Sequence, residues 1–178
     1  MMFLYNNEIY YSVVGKDFET VKREAEMIIK NSVAEEVMLG FPGETSEDFE
    51  ELYSFLQETK IDKLGAFAYS KEDGTPAAKL KDQIHPQTKK SRYNKIMKLQ
   101  QGISENNLKQ KIGNTYEVLI EDTSFDGKYY IGRSYMDVPD MDGVIFIENP
   151  NKETEKIGKF VKCQITDISE YDLIAKTM

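Results

Sequence analysis

VAEEVMLGFPGETSEDFEELYSFLQETKIDKLGAFAYS, residues 33–70, decides how the first half of this chain folds. Val33 to Leu39 is a short apolar run with the length and character of a buried strand. Gly40, Pro42 and Gly43 then form a tight loop. Thr45 and Asp48 stand at capping-box spacing, so a helix should begin there. Its apolar face is Phe49, Leu52, Tyr53 and Leu56, while Glu47, Asp48, Glu50 and Glu51 load the first turn with the negative charge that a helix N-terminus favours. Ile61 to Ser70 reads as a second strand. Strand, loop, helix and strand together make a βαβ unit, which implies parallel strands.

Working outward, Asn6 to Val14 is rich in Ile, Tyr and Val and reads as extended. Asp17 to Lys30 places Phe18, Val21, Ala25, Ile28 and Ile29 at helical spacing, and Asn31-Ser32 ends that helix. On the other side, Thr75 to Ala78 reads as a turn. Gln87 to Leu108 is a polar helix with Tyr93, Ile96, Met97, Gln100 and Ile103 along one side, and it is expected to link two domains. After Ile112-Gly113 the period drops to two. Tyr116–Glu121, Lys128–Arg133, Gly143–Glu148, Phe160–Thr166 and Asp172–Lys176 are five strand candidates separated by Asp-Gly and Asn-Pro turns. Five short strands in so little chain predict a small closed or nearly closed β-barrel.

Composition narrows the chemistry. The chain has 178 residues, 40% hydrophobic and 30% charged, the profile of a globular protein with room for one ordinary domain or two small ones. No apolar run approaches the roughly 20 residues of a membrane helix. The first residues carry no basic region or small-residue cleavage site, so no signal peptide is expected and the cytoplasm is the default location. Net charge is −8, which disfavours phosphate backbones and suits a basic protein partner. The only cysteine is Cys163, so this chain can form no internal disulfide and offers no set of three thiolates to an iron–sulfur cluster. Cys163 alternates with core positions and reads as a small buried hydrophobe. The only histidine, His85, precedes a proline and reads as a turn or cap residue.

Three passages resemble one family. GFPGETSEDFEELYSFL (Gly40–Leu56) is similar to the strand-end loop and helix of the radical S-adenosylmethionine methylthiotransferases. GAFAYSKEDGTPAA (Gly65–Ala78) resembles the next strand and loop of their barrel, and YYIGRSYMDVPDMDGVIFIE (Tyr129–Glu148) resembles the TRAM domain of the RimO-type subfamily. The resemblance implies an α/β plus all-β fold: a partial radical-SAM (TIM-like) barrel segment over 1–85, a linker helix over 86–111 and a five-stranded OB-like TRAM β-barrel over 112–178. Full-length members of the family use S-adenosylmethionine and two 4Fe-4S clusters to place a methylthio group. RimO-type members act on an aspartate of a small-subunit ribosomal protein, and a sister subfamily acts on transfer RNA.

Residues 114–178 carry 7 Lys/Arg against 13 Asp/Glu. Charge and resemblance therefore agree on a basic ribosomal protein, with RNA the lesser expectation and no membrane partner. The family's CxxxCxxC loop is absent from this chain, and residues 10–39 loosely resemble the segment that follows that loop in full-length members. The expectation is an internally deleted or truncated relative with an incomplete barrel. It should be inactive alone and carry no cofactor, while its oligomeric state is left open. A free-standing TRAM module that binds a ribosomal protein or RNA is the alternative, and a non-functional remnant the third reading.

Two sets of site residues follow. The family's loop lies near S-adenosylmethionine, which implies cofactor contact at Gly40, Phe41, Pro42, Gly43 and Glu44. Tyr69, Lys71 and Glu72 also follow a strand but read as a solvated loop. Arg133, Tyr135, Asp137, Asp140 and Asp142 crowd a turn region, and three carboxylates in six residues exceed what one turn requires. They are expected to face a Lys/Arg-rich partner and to steer encounter. No residue is assigned to catalysis or to metal.

Overall fold

The computed structural model describes residues 5–6, 9–10, 34–137, 143–151 and 154–178. The helix expected over 17–30 lies outside them, as does most of the strand expected over 6–14. The chain folds as two compact units, 1–103 and 104–178.

In the first unit β1 (Tyr5–Asn6) pairs antiparallel with β2 (Ile9–Tyr10). β3 (Ala34–Leu39) pairs with β4 (Lys63–Ala68), and helix α1 (Ser46–Thr59) crosses between them. The pair is parallel and runs in unbroken register from Ala34 opposite Lys63 to Leu39 opposite Ala68. The two strands therefore end level with each other, and the backbone N–H of Tyr69 donates to the carbonyl of Leu39 at 2.8 Å.

The α1 start is built as its sequence dictates. Asp48 N–H donates to Thr45 Oγ1 at 3.1 Å, and Thr45 N–H donates back to Asp48 Oδ2 at 2.7 Å. That backbone donor, with the Thr45 hydroxyl, holds the Asp48 carboxyl below the ordinary carboxylate range. The helix buries Phe49, Leu52, Phe55 and Leu56 against Val37, Leu39, Leu64, Ala66 and Ile96. Phe55 adds to the face expected from spacing, while Tyr53 packs only partly against it.

Helix α2 (Pro86–Lys109) begins where His85 Nδ1 accepts from the Gln87 N–H at 3.2 Å. Its buried residues are Arg92, Ile96, Gln100 and Ile103. Gln100 donates to the carbonyl of Ile61 at 2.9 Å, fastening the helix beside the entry to β4. A single 3₁₀ turn, Ala77–Lys79, stands where the sequence reads as a turn. No described helix is long and apolar enough to cross a membrane.

The second unit is a closed barrel of β5 (Thr115–Thr123), β6 (Tyr129–Arg133), β7 (Ile145–Glu148), β8 (Phe160–Ser169) and β9 (Asp172–Thr177), in the order β5-β6-β7-β9-β8. All five neighbouring pairs are antiparallel except β7 with β9. Alternation sends Val118, Ile120, Tyr130, Ile145, Ile147, Cys163, Ile165, Leu173 and Ala175 inward. Register shifts at Ile120/Asp122 and Ile165/Asp167 bend the two long strands so that few strands can close. Gly132 lies on the inward face of β6, where a Cβ would sit 2.6 Å from the Leu119 carbonyl oxygen. Only glycine allows that approach between β5 and β6.

Candidate functional site

Each unit carries one of the two sets of site residues. In the first, the Gly40–Glu44 loop leaves the C-terminal end of β3. That edge is where ligands bind in parallel α/β architectures. Gly40 has φ +71°, and a Cβ there would come 2.4 Å from Cγ of Lys89. Both facts restrict the position to glycine. Phe41 is half-buried with its ring edge-on to Tyr69, centroids 5.2 Å apart. Pro42 is buried and Gly43 exposed.

Glu44 is buried, and its carboxylate is fully engaged. Oε2 accepts from the Gly40 N–H at 2.8 Å, and Oε1 pairs with Nη1 of Arg92, which is itself buried. Arg92 Nη2 also donates to the Thr45 carbonyl at 3.0 Å, and its guanidinium lies over the Phe49 ring. The loop's backbone is committed as well: Gly43 N–H donates to Asp82 O at 2.8 Å and Glu44 N–H to Phe41 O at 3.0 Å. The acid at the end of the GFPGE motif is thus a brace that ties loop to helix α2.

Tyr69 is the contrasting member of this rim. The residue is only 8% exposed, and its hydroxyl has no hydrogen-bond partner among the described residues. Lys89 Nζ donates to the Tyr69 carbonyl at 2.8 Å and lies 4.8 Å from the ring centroid. An unpaired buried hydroxyl costs about 1–3 kcal/mol, so something outside these contacts is required to justify keeping it. Lys71 and Glu72, by contrast, are exposed, and Glu72 accepts from the Ser70 hydroxyl within the loop.

The barrel set is less uniform than its sequence implied. Arg133 Nε donates to Glu121 Oε1 at 2.6 Å, across β6 and β5. Asp137 accepts from the Ser134 N–H at 2.9 Å and from its hydroxyl at 2.8 Å, which is turn-closing chemistry. Tyr135 stands out, 83% exposed at the tip of that turn. Asp140 and Asp142 lie outside the described residues. Cys163 faces the barrel core, where burial pushes its thiol up to about 11. Among the described residues no group of three His, Cys, Asp or Glu side chains is placed to hold a metal ion.

Two residues escaped the sequence reading. The polar composition of its helix conceals Arg92, although positions 92, 96, 100 and 103 carry the spacing of one buried stripe. Phe125, at the β5–β6 turn, is exposed more fully than any other large hydrophobic among the described residues. Nothing in strand alternation marks a residue that sits in a turn.

Comparison with known proteins matches residues 112–178 to the TRAM domain. Over 159 residues the chain is 57% identical to the ribosomal protein uS12 methylthiotransferase RimO of Alkaliphilus oremlandii, covering 89% of this chain and 35% of that protein. The protein of the same name from Clostridium perfringens is 43% identical over 162 residues, covering 91% and 34%. That from Petrotoga mobilis is 42% identical over 158 residues, covering 89% and 35%. The chain thus spans about a third of the length of the curated relatives it matches.

Proposed function

We propose, for a chain that matches the C-terminal part of RimO and carries its TRAM domain, that it serves the methylthiolation of an aspartate side chain on the small-subunit ribosomal protein uS12 in the cytoplasm. The observation that carries this reading is the match itself, which runs through both units rather than through the TRAM barrel alone. Residues 1–85 supply part of a radical-SAM barrel, residues 86–111 the connecting helix, and residues 112–178 the module that docks the substrate protein.

The residues present define what this chain can contribute. A 4Fe-4S cluster does not fit them: Cys163 is the chain's sole thiol, and it is buried in the barrel with a raised pKa. No step of radical chemistry is therefore assigned to this chain. S-adenosylmethionine fits the β3–β4 rim better. There the half-buried Phe41 ring offers an apolar face to a nucleoside, and the Tyr69 hydroxyl is a polar group without a hydrogen-bond partner among the described residues. Glu44 holds the loop and is already satisfied by Arg92 and Gly40. When bound, the cofactor supplies the group-transfer chemistry, and the loop would position it.

The barrel supports a basic partner. Its stretch 114–178 carries a net of −6, from 7 Lys/Arg and 13 Asp/Glu. Such a surface steers a Lys/Arg-rich protein toward it and repels nucleic acid. The test is direct binding of the chain to purified uS12 and to a structured RNA across a salt series. Saturable uS12 binding that weakens with salt is expected. RNA binding with a steep salt slope, and none to uS12, overturns the docking reading. Separately, the chain incubated with iron and sulfide should show no cluster absorbance. A bound 4Fe-4S centre that yields 5′-deoxyadenosine would overturn the assignment of no radical step.

A further inference from the structure

The turn between β5 and β6 holds a phenylalanine out in water. Phe125 has a relative exposure of 110%, so none of the described residues covers it. Exposure of this kind on a mobile loop would carry little meaning, but this turn is closed by its own bonds. Ser124 N–H donates to the Tyr129 carbonyl at 2.8 Å, and Tyr129 N–H returns to Ser124 Oγ at 3.0 Å. Asp126 Oδ1 accepts from the Ser124 hydroxyl at 2.8 Å and from the Lys128 N–H at 3.1 Å. Gly127 N–H donates to the Ser124 carbonyl at 2.8 Å, and the Asn149 side chain donates to the Gly127 carbonyl at 3.2 Å. The backbone on both sides of Phe125 is fixed before any partner arrives, so its ordering cost is already met.

The charges around it select the partner. Residues 121–128 hold Glu121, Asp122 and Asp126 against Lys128, a net of −2, with Glu121 paired to Arg133 and Asp122 left as the acid beside the tip that no ion pair among the described residues engages. Lys128 lies 3.2 Å from Asp126 and forms an exposed ion pair with it, while the barrel stretch 114–178 as a whole carries a net of −6. Aromatic side chains are enriched among the few residues that dominate protein–protein affinity, and they work best seated in an apolar pocket within a complementary rim.

We propose that Phe125 is the anchor by which the barrel grips its protein partner, inserting into an apolar seat bordered by Lys and Arg side chains. The proposal rests on the uS12 docking reading above and names the residue that carries it. Base stacking on Phe125 would also use an exposed ring, but it would bring phosphates against Asp122 and Asp126.

The test uses the full chain and uS12. Phe125→Ala should weaken binding about 30-fold or more. Phe160→Ala, which truncates a ring 66% exposed on β8, should change it less than about threefold. The chain contains no tryptophan, so Phe125→Trp places a single reporter at the tip. Its emission, after subtraction of the partner's own, should shift to the blue and lose acrylamide quenching when uS12 is added. Wild-type binding with Phe125→Ala unaffected overturns the anchor and leaves the docking reading intact. A wild-type chain that does not bind uS12 removes the docking reading and this proposal with it. A tryptophan that responds to an oligonucleotide and not to uS12 overturns the proposal in favour of base stacking.

Discussion

The Gly40–Glu44 loop and the Ser124–Lys128 turn are both short, glycine-bearing connections at strand ends, and they spend their polar atoms for opposite purposes. In the first, carboxylate and backbone donors point into the protein and are consumed there, by Arg92, Gly40 and Asp82. In the second, an equally complete set of bonds leaves one apolar ring outside. A conspicuous acidic residue in a loop is therefore weak evidence for ligand contact until its partners are known. An apolar residue held in solvent by a bonded turn is a better candidate for contact, because its backbone is already ordered before a partner binds.

The largest effect that could break this contrast lies at Glu44. Removing one partner of a buried ion pair leaves the other charge without compensation, at a cost of about 3–5 kcal/mol. Glu44→Ala should therefore lower the urea midpoint of the first unit sharply, while Phe125→Ala should leave the barrel's midpoint unchanged. The Glu44→Ala/Arg92→Ala cycle should show strong coupling. Near-wild-type stability of Glu44→Ala would mean that the carboxylate is available for a ligand after all.

A smaller effect belongs to the root of the hairpin. Gly132→Ala forces a methyl into the space of the Leu119 carbonyl and against Cγ1 of Val118, which must move β5 away from β6. A loss of about 1–3 kcal/mol is expected, as for other overpacked sites. If the barrel absorbs it without loss, the tip that carries Phe125 is less firmly seated than its bonds suggest.

These residues also mark how far the sequence could be read. The βαβ unit, the Thr45/Asp48 cap and the five barrel strands were legible, because they depend on local patterns: periodicity, capping spacing and turn dipeptides. The burial of Glu44 was not legible, because its partner lies 48 residues away on a helix whose polar composition conceals Arg92. Strand pairing order was likewise hidden; nothing local states that β7 pairs in parallel with β9 rather than with β8. The Gly40–Glu44 loop does follow the end of a strand, as its spacing implies, yet the roles within it are set by tertiary contacts. The acidic cluster after β6 reads from sequence as one patch, but Asp137 closes its own turn and Arg133 is paired to Glu121.

Tyr69 offers an effect of opposite sign. Its hydroxyl is buried and unpaired among the described residues, so Tyr69→Phe removes a desolvated group and keeps the ring against Phe41 and Lys89. Stability should be unchanged or rise by up to about 1 kcal/mol, measured by urea unfolding without ligand. A loss above that size would show that the hydroxyl is satisfied within the protein, and would remove it as a contact for a bound nucleoside.

The smallest effect tests the turn that presents Phe125, through acid. The Lys128 N–H, followed by the Ser124 hydroxyl, lowers the Asp126 carboxyl from its ordinary value near 3.8 to about 2. A carboxyl depressed in the folded state contributes its full stability above the unfolded pKa and loses it progressively as pH falls to the folded one. The contribution of Asp126 is therefore complete above roughly pH 4 and is lost as pH falls through about 2. Asp126→Asn removes the charge at every pH. The wild-type advantage over Asp126→Asn should hold between pH 5 and 8, shrink from pH 4 downward and vanish only below about pH 2. The group lies in solvent, so the advantage is modest and best read as a difference between paired unfolding curves. An advantage that stays constant down to pH 2 would mean that shape, not charge, closes the turn. Tip rigidity would then be insensitive to acid, and any acid loss of uS12 binding would have to come from the partner.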